Sequence, residues 1–380
     1  MSVFAEKPME KRTIADLLEM AKIPQEERVQ QLHETLKIGL ARCAMRLSEM
    51  PFGFCNAPSI RRVASSYVRN FREVVDIEQR LGLVGLRARD YTDLTKSIFN
   101  EHRGTMLYVA KGGFEFGEEL RSVFGDGLEL ADARDDLGVI RDIESSLDDF
   151  FTNRLTLRLL ISHVHSLNDG PNSKPGRNQR MVGAVTTNAK PIDILMRAFA
   201  STRFMCLRDF GVAPELKVNG ASCEEYAKAR GPQQEFAYVH THLFYIFLEL
   251  MKNAARASVL RAQAEEKKGI FSRKHGIQVP PLEVTVPEDV RIWTEERSVK
   301  LEDHGTGMSR QVLSKCFCYF YSSVKDRPAV AEEVSDFDRR MPLAGFGFGL
   351  PISRVMARYF AGDIDMNSIP GKGTDVYLYI

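Results

Sequence analysis

The sequence predicts an α+β protein: an N-terminal antiparallel helical bundle followed by an α/β sandwich. Three observations predict it. Residues 13 to about 167 carry apolar side chains at helical spacing, with only short breaks between segments. A stretch dense in turn formers, Asn168-Asp169-Gly170-Pro171-Asn172-Ser173-Lys174-Pro175-Gly176-Arg177-Asn178, closes that region. Helices then mix with short alternating runs that read as strands. The 380 residues leave room for about two domains. They are expected at 1–170 and 181–380, with a linker over 171–180.

In the bundle, Ile14, Leu17, Leu18 and Ala21 mark one helix, and Leu36, Leu40, Cys43, Ala44 and Leu47 the next. Pro51-Phe52-Gly53 breaks the pattern, and Asn56-Ala57-Pro58-Ser59 can cap a new start. A long helix from Ser59 to Leu81 follows on Val63, Tyr67, Phe71, Val74 and Val75. Another is expected from Asp90 to Tyr108. The last, from Asp142 to Leu167, carries Leu147, Phe150, Phe151, Leu155, Leu159 and Leu160. His163 and His165 read as polar tips near its end.

In the second region Ile192–Phe210 and His240–Leu260 read as helices. Glu215–Asn219, Phe236–Val239, Leu282–Val286, Val290–Thr294 and Ser298–Glu302 read as strands. Thr374–Ile380 is one more, entered through the turn Pro370-Gly371-Lys372-Gly373.

Composition excludes several classes. Basic and acidic residues balance at 52 against 51, so no field of one sign points to nucleic acid or an anionic membrane. No apolar run is long enough to span a bilayer. Of the six cysteines only Cys316 and Cys318 are close, so all read as free thiols of a reducing compartment. Residues 1–12 include Glu6 and Glu10, unlike an acid-poor transit peptide. The expectation is a cytoplasmic protein, or a matrix protein with an unusual or missing presequence.

Three stretches carry chemistry. In Gly345-Phe346-Gly347-Phe348-Gly349-Leu350-Pro351, glycines alternate with aromatics and a helix follows. Glycine lets backbone approach a ligand, proline suits a helix start, and free N–H groups there favour phosphate. The spacing is neither the dinucleotide nor the Walker pattern, and a plain glycine-rich turn is the alternative. In Glu249-Leu250-Met251-Lys252-Asn253-Ala254-Ala255-Arg256, Glu249 and Asn253 share a helix face and Arg256 lies nearly with them. The carboxylate can act as a base, the amide oxygen suits magnesium and the guanidinium suits phosphate. An exposed helix face is the alternative. Phe244, Phe247, Leu248, Met251 and Ala255 make this helix mostly apolar, so the Glu–Asn pair is expected to be buried. Lastly, Asp303-His304-Gly305-Thr306-Gly307 sets a carboxylate at a strand end before two glycines. It can accept from an adenine amine while the glycines make room for the ring; a plain turn is the alternative. The hydroxyl of Thr374 can reach a ring or a water.

Taken in chain order, from Glu249 and Asn253 through Asp303-His304-Gly305-Thr306-Gly307 and the glycine run at 345–349 to Thr374, the motifs resemble the GHKL ATP-binding fold of gyrase, certain chaperones, histidine kinases and mismatch-repair ATPases. The lid of that fold would span about Ser309 to Ala344. A narrower resemblance covers nearly the whole chain. Leu250-Met251-Lys252-Asn253-Ala254, the GFGFGLP run, Ala57-Pro58-Ser59, Asn100-Glu101-His102 and Arg154-Leu155-Thr156-Leu157-Arg158-Leu159-Leu160-Ile161 resemble the mitochondrial 2-oxoacid dehydrogenase kinases. That family phosphorylates serine on E1α of the pyruvate or branched-chain complex.

The resemblance implies Glu249 as general base, Asn253 on magnesium, and Lys252 and Arg256 beside the phosphates. It implies Asp303 on the adenine amine, with Thr374 nearby. Gly305, Gly307, Gly345, Phe346, Gly347, Phe348, Gly349 and Leu350 would shape the ATP pocket, and Ser322 and Ser323 match a hydroxyl pair in the lid. It implies ATP and Mg2+, with K+ as a further ion. It also implies a homodimer in the mitochondrial matrix, whose helical bundle docks the lipoyl domain of the E2 core. No nucleic acid and no membrane is expected.

Three departures bear on the type. Tyr245 stands where pyruvate-type kinases have histidine, Thr306 stands where relatives usually have glycine, and the chain ends at Ile380. The first and third slightly favour the branched-chain substrate. A histidine kinase is the runner-up, but His33-Glu34-Thr35-Leu36-Lys37-Ile38 lacks the proline of a phosphoacceptor box. A nucleotide-binding scaffold is a third reading, which the retained Glu249 disfavours. A chaperone or topoisomerase ATPase would place its ATP domain first.

Overall fold

Helical periodicity in the N-terminal region becomes seven helices among the described residues of a computed structural model. The structure describes the chain apart from residues 86–88, 125–138, 169–179, 230–234, 268–276, 288–296 and 323–346. The described part of the first unit is Met1–Thr187 with Cys318–Tyr321; that of the second is Asn188–Phe317, Ser322 and 347–380. The expected linker at 171–180 and the strand Val290–Thr294 lie almost wholly outside the described residues.

The first unit holds α1 (Ser2–Ala5), α2 (Ile14–Met20), α3 (Gln25–Ser48), α4 (Pro58–Gly85), α5 (Arg89–Glu101), α6 (Thr105–Phe124) and α7 (Val139–Asn168). Helix α3 packs along α4 and α7, and α4 along α6. Leu36, Leu40, Leu47, Ile60, Tyr67 and Phe150 are fully buried there. A capping box starts α2: Asp16 N–H donates to Thr13 Oγ1 and Thr13 N–H to Asp16 Oδ2. The start of α4 is capped from another helix, since both Ser59 N–H and Ser59 Oγ–H donate to the Glu115 carboxylate of α6.

The single helix expected over Asp90–Tyr108 is two helices, joined by a 3-10 turn at His102–Gly104. The turn carries the His102 ring into the core, stacked on Tyr67 and 2.8 Å from Asn70 Oδ1. Helix α6 then runs far past Tyr108, through Gly112-Gly113. Those glycines weaken a helix in isolation. Here a side chain on either would overlap Ile60 or Phe320, so packing demands what propensity disfavours. His163 and His165 are not polar tips. His163 is fully buried; its Nε2 lies 3.0 Å from the Leu17 carbonyl and its Nδ1 accepts from Ala184 N–H. His165 Nε2 lies 2.7 Å from Thr95 Oγ1. Strands β1 (Met181–Val182) and β2 (Val185–Ala189) pair antiparallel and were not foreseen.

The second unit contains α8 (Pro191–Phe210), β3 (Leu216–Val218), β4 (Ala221–Ser222), α9 (Cys223–Lys228), β5 (Phe236–Tyr238), α10 (His240–Lys267), β6 (Leu282–Thr285), β7 (Ser298–Asp303), α11 (Arg310–Lys315), α12 (Gly349–Tyr359), β8 (Asp363–Ile369) and β9 (Gly373–Tyr379). Six strands form one sheet in the order β4-β3-β6-β7-β9-β8. Only β3 and β6 run parallel. Helix α10 lies on β6, β7 and β9, and α8 and α12 pack against it. Strand β8 escaped the sequence reading because Asp363, Asp365 and Asn367 are poor strand formers. Its buried Ile364 and Met366 nevertheless alternate with them, facing the core.

Burial holds His163 neutral, pushing its pKa down to about 4, and pushes His102 down to about 3 with help from Arg154 and Arg158. A histidine whose folded pKa is depressed binds more protons when unfolded, so its contribution is complete above the unfolded value of about 6.5 and is lost as pH falls toward 4. Between pH 7 and pH 5 the parent chain is expected to lose roughly 2 kcal/mol more stability than a His163→Gln variant. Thermal unfolding of both at the two pH values checks this; parallel shifts would reject it.

Candidate active site

Sheet register builds the first half of the site. Val299 of β7 pairs with Leu378 of β9, which pairs with Ile364 of β8; Leu301, Val376 and Met366 form the next row. All six side chains are buried. The third row continues the same pleat with Asp303, Thr374 and Ser368. The apolar face of the sheet thus ends in three polar side chains. Asp303 is only 6% exposed and Thr374 8%. Ser368 Oγ lies 2.9 Å from Thr374 Oγ1 and accepts from Met308 N–H at 2.8 Å. Gly305 N–H donates to Asp303 Oδ1 at 2.9 Å. Burial nevertheless pushes the Asp303 carboxyl up to about 6, against the backbone donors of Gly305 and Thr374.

The loop after Asp303 is clasped on two sides. Gly307 and Gly373 take left-handed or extended positive φ, +64° and +136°, which only glycine adopts easily. Gly371 N–H donates to the Thr306 carbonyl at 2.7 Å. From α10, Arg261 Nη1–H donates to the His304 carbonyl at 2.9 Å and more weakly to that of Lys372 at 3.4 Å, while its Nε–H donates to Glu265. One arginine therefore ties helix, loop and hairpin together. Gly305 is buried so close to α10 that a side chain would overlap Ala257.

Helix α10 supplies the second half. Glu249 is 8% exposed, and its Oε1 lies 2.7 Å from the Nζ of Lys252, 5% exposed and one turn along. Asn253 is exposed, so the expected burial of a Glu–Asn pair holds for Glu249 alone. The amide is on the same face, one turn on, but opens to solvent. Arg256 is half-buried, and burial lowers its pKa. Tyr245, one turn before Glu249, is half-buried.

Helix α12 closes the site. Gly347 has φ +71°, Phe348 is the buried N-cap residue and makes no side-chain cap, and Gly349 is the first helical residue. Leu350 is half-buried. The backbone at Gly349 abuts the Glu249 carboxylate. Ser322 is half-buried; Ser323, Gly345 and Phe346 lie outside the described residues. Sequence reasoning missed Ser368 and Arg261. The first was legible only with β8, whose inward positions it continues. The second stands two turns beyond Asn253 on the same face.

Among the described residues, His33, Glu34 and Glu78 gather closely enough to suggest a cation site in the first unit. The Lys37 ammonium fills that role, 2.7 Å from Glu34 and 3.1 Å from Glu78.

The buried carboxylate sets a stability test. A folded pKa raised to about 6 means that Asp303 costs stability as pH rises through that value. Asp303→Asn is expected to gain thermal midpoint relative to the parent between pH 5 and pH 7.5. Unfolding scans across that range check it, and a constant difference would count against it.

Comparison with known proteins agrees with this geometry. Residues 12–186 match a family described as mitochondrial branched-chain alpha-ketoacid dehydrogenase kinase, and residues 238–380 match the histidine kinase-, DNA gyrase B- and HSP90-like ATPases. The chain is 31% identical over 350 residues to the mitochondrial pyruvate dehydrogenase (acetyl-transferring) kinase isozyme 3 of Mus musculus, covering 92% of this chain and 75% of the relative. It is 29% identical to isozyme 1 of Homo sapiens, over 92% of this chain and 71% of that protein. Identity to the Arabidopsis thaliana kinase is 28%, over 92% and 83%. With the polar sheet row, the buried Glu–Lys pair and these relatives together, the chain belongs to the mitochondrial 2-oxoacid dehydrogenase kinases, protein kinases with a GHKL ATP-binding domain.

Proposed function

We propose that this chain transfers the γ-phosphoryl group of ATP to a serine of E1α in a 2-oxoacid dehydrogenase complex and thereby inactivates it. The observation that carries the reading is the buried Glu249–Lys252 pair against the start of α12. Nucleotide binding alone needs no such carboxylate.

Asp303 accepts from the adenine amine, and Thr374 and Ser368 line the same end with hydroxyls. Gly305 and Gly307 leave room for the ring. The free N–H groups at Gly349 and Leu350, with Arg256, face the phosphates. Glu249 takes the serine hydroxyl proton as its oxygen attacks the γ-phosphorus and ADP leaves. Lys252 holds one carboxylate oxygen, and Tyr245 replaces the family's histidine as orienting donor. The exposed Asn253 amide, a hard oxygen beside the base, fits magnesium. Bound there, the ion would neutralise phosphate charge. Potassium enters no step.

The lean toward the branched-chain substrate drawn from Tyr245 lacks support from the three relatives above, all named for pyruvate dehydrogenase. Pyruvate-type E1α is therefore the substrate to test first. The reading places the chain in the mitochondrial matrix, its relatives being named mitochondrial, as a homodimer docking an E2 lipoyl domain.

Radiolabelled ATP transfer to purified pyruvate and branched-chain E1, with Glu249→Gln alongside, tests the proposal. Serine label on an E1α is expected, reduced on the order of 10² to 10⁴-fold in Glu249→Gln with ATP binding kept. Acid-labile label on the kinase itself, with none on either E1, would overturn it in favour of a histidine kinase. The adenine contact predicts weaker ATP binding below about pH 6, as Asp303 takes up a proton. An affinity that does not change between pH 7.5 and pH 5.5 would remove that contact.

A further inference from the structure

Two glycines at the start of α12 invite different explanations. Gly347 needs to be glycine for its backbone, since its φ is +71°. Gly349 does not. It is the first residue of the helix, and its φ lies outside the left-handed region. Alanine would be the better helix former there.

What Gly349 lacks is a side chain, and Glu249 occupies the space one would fill. A Cβ built at 349 would overlap Glu249 Oε2 and stand 3.0 Å from Cδ and 3.5 Å from Cγ. The other carboxylate oxygen is held 2.7 Å from Lys252 Nζ. The carboxylate is therefore fixed from two sides: by an ammonium on its own helix, and by bare backbone of α12. With Glu249 only 8% exposed, it has little solvent to swing into.

We propose that Gly349 is a positioning residue, whose missing side chain lets the backbone of α12 set the direction in which Glu249 presents its carboxylate. The proposal rests on the reading of Glu249 as the base. A base must come within about 3 Å of the proton it takes, and a displacement of about 1 Å can cost on the order of a hundredfold. A methyl group at 349 displaces Oε2 by that much. What yields is the far end of a flexible side chain rather than backbone, so the fold tolerates the change and the cost falls on the chemistry. The turn of chain that faces the phosphates thus also aims the base.

The experiment uses the full chain with Gly349→Ala, Glu249→Gln, Glu249→Asp and their combinations. It measures ATP Kd by calorimetry, kcat on E1α, and folding by circular dichroism. Gly349→Ala is expected to fold, to keep its ATP Kd and to lose kcat on the order of a hundredfold. It adds no further loss in the Glu249→Gln background. Glu249→Asp, whose carboxylate is withdrawn by one methylene, lowers kcat in the parent but raises it in the Gly349→Ala background. Multiplicative losses in the double variants, or a raised Kd with kcat kept, would overturn the proposal in favour of a phosphate contact only. An inactive Glu249→Gln beside a fully active Gly349→Ala defeats this proposal alone. Full activity of Glu249→Gln defeats the base assignment and this proposal with it.

Discussion

Taking the Glu249 carboxylate out of water is costly, and it is tolerated because the Lys252 ammonium goes with it at 2.7 Å. The pair fixes the orientation of α10. Glu249 and Lys252 must point toward the start of α12, which leaves Leu250, Met251, Ala254 and Ala255 to fill the core with α8 and the sheet. Further along the same helix, Arg261 reaches the loop after Asp303. One helix therefore aligns the Glu249 carboxylate and the loop after Asp303, and its position depends on one ion pair and a continuous apolar face.

Asp303 is held differently. No ammonium or guanidinium accompanies it in the hydrogen bonds described, only backbone N–H groups. Its carboxyl is correspondingly displaced toward protonation, whereas Asp363, held by Arg354 and Arg358, is pulled down to about 2. Two acidic residues of one unit thus differ by their burial and by their partners. A buried carboxylate with backbone donors but no cationic partner, at the end of an apolar sheet face, is poor for stability.

The helical unit handles its buried polar groups by neutralising or pairing them. His102 and His163 are kept uncharged by burial; His102 is hydrogen-bonded to Asn70, and His163 is held at both ring nitrogens by Leu17 and Ala184. Lys37 is raised in pKa by Glu34 and Glu78 although burial opposes it. Such hydrogen-bonded and ion-paired contacts specify one packing of helices that apolar periodicity alone would leave loosely defined.

The sequence by itself determined the helix-then-mixed order and most helix spans, and it singled out the side chains that are candidates for chemistry. Periodicity, caps and glycine spacing are local properties, and local properties are legible in one chain. It determined Glu249 as a candidate base because an acidic residue inside an apolar helix is conspicuous. It did not determine that Asn253, four residues on, is exposed, since that depends on what else packs there. The break at His102, the helix through Gly112-Gly113 and the strand of Asp363–Ile369 each defy local propensity. Each exists because distant partners, Tyr67, Ile60 and strand β9, reward it. Only the tertiary structure decided that Ser368 joins Asp303 and Thr374, because strand register is a relation between segments. It alone decided that Gly349 touches Glu249, a hundred residues earlier in the chain, because close approach is set by how helices pack and leaves no local mark in either segment.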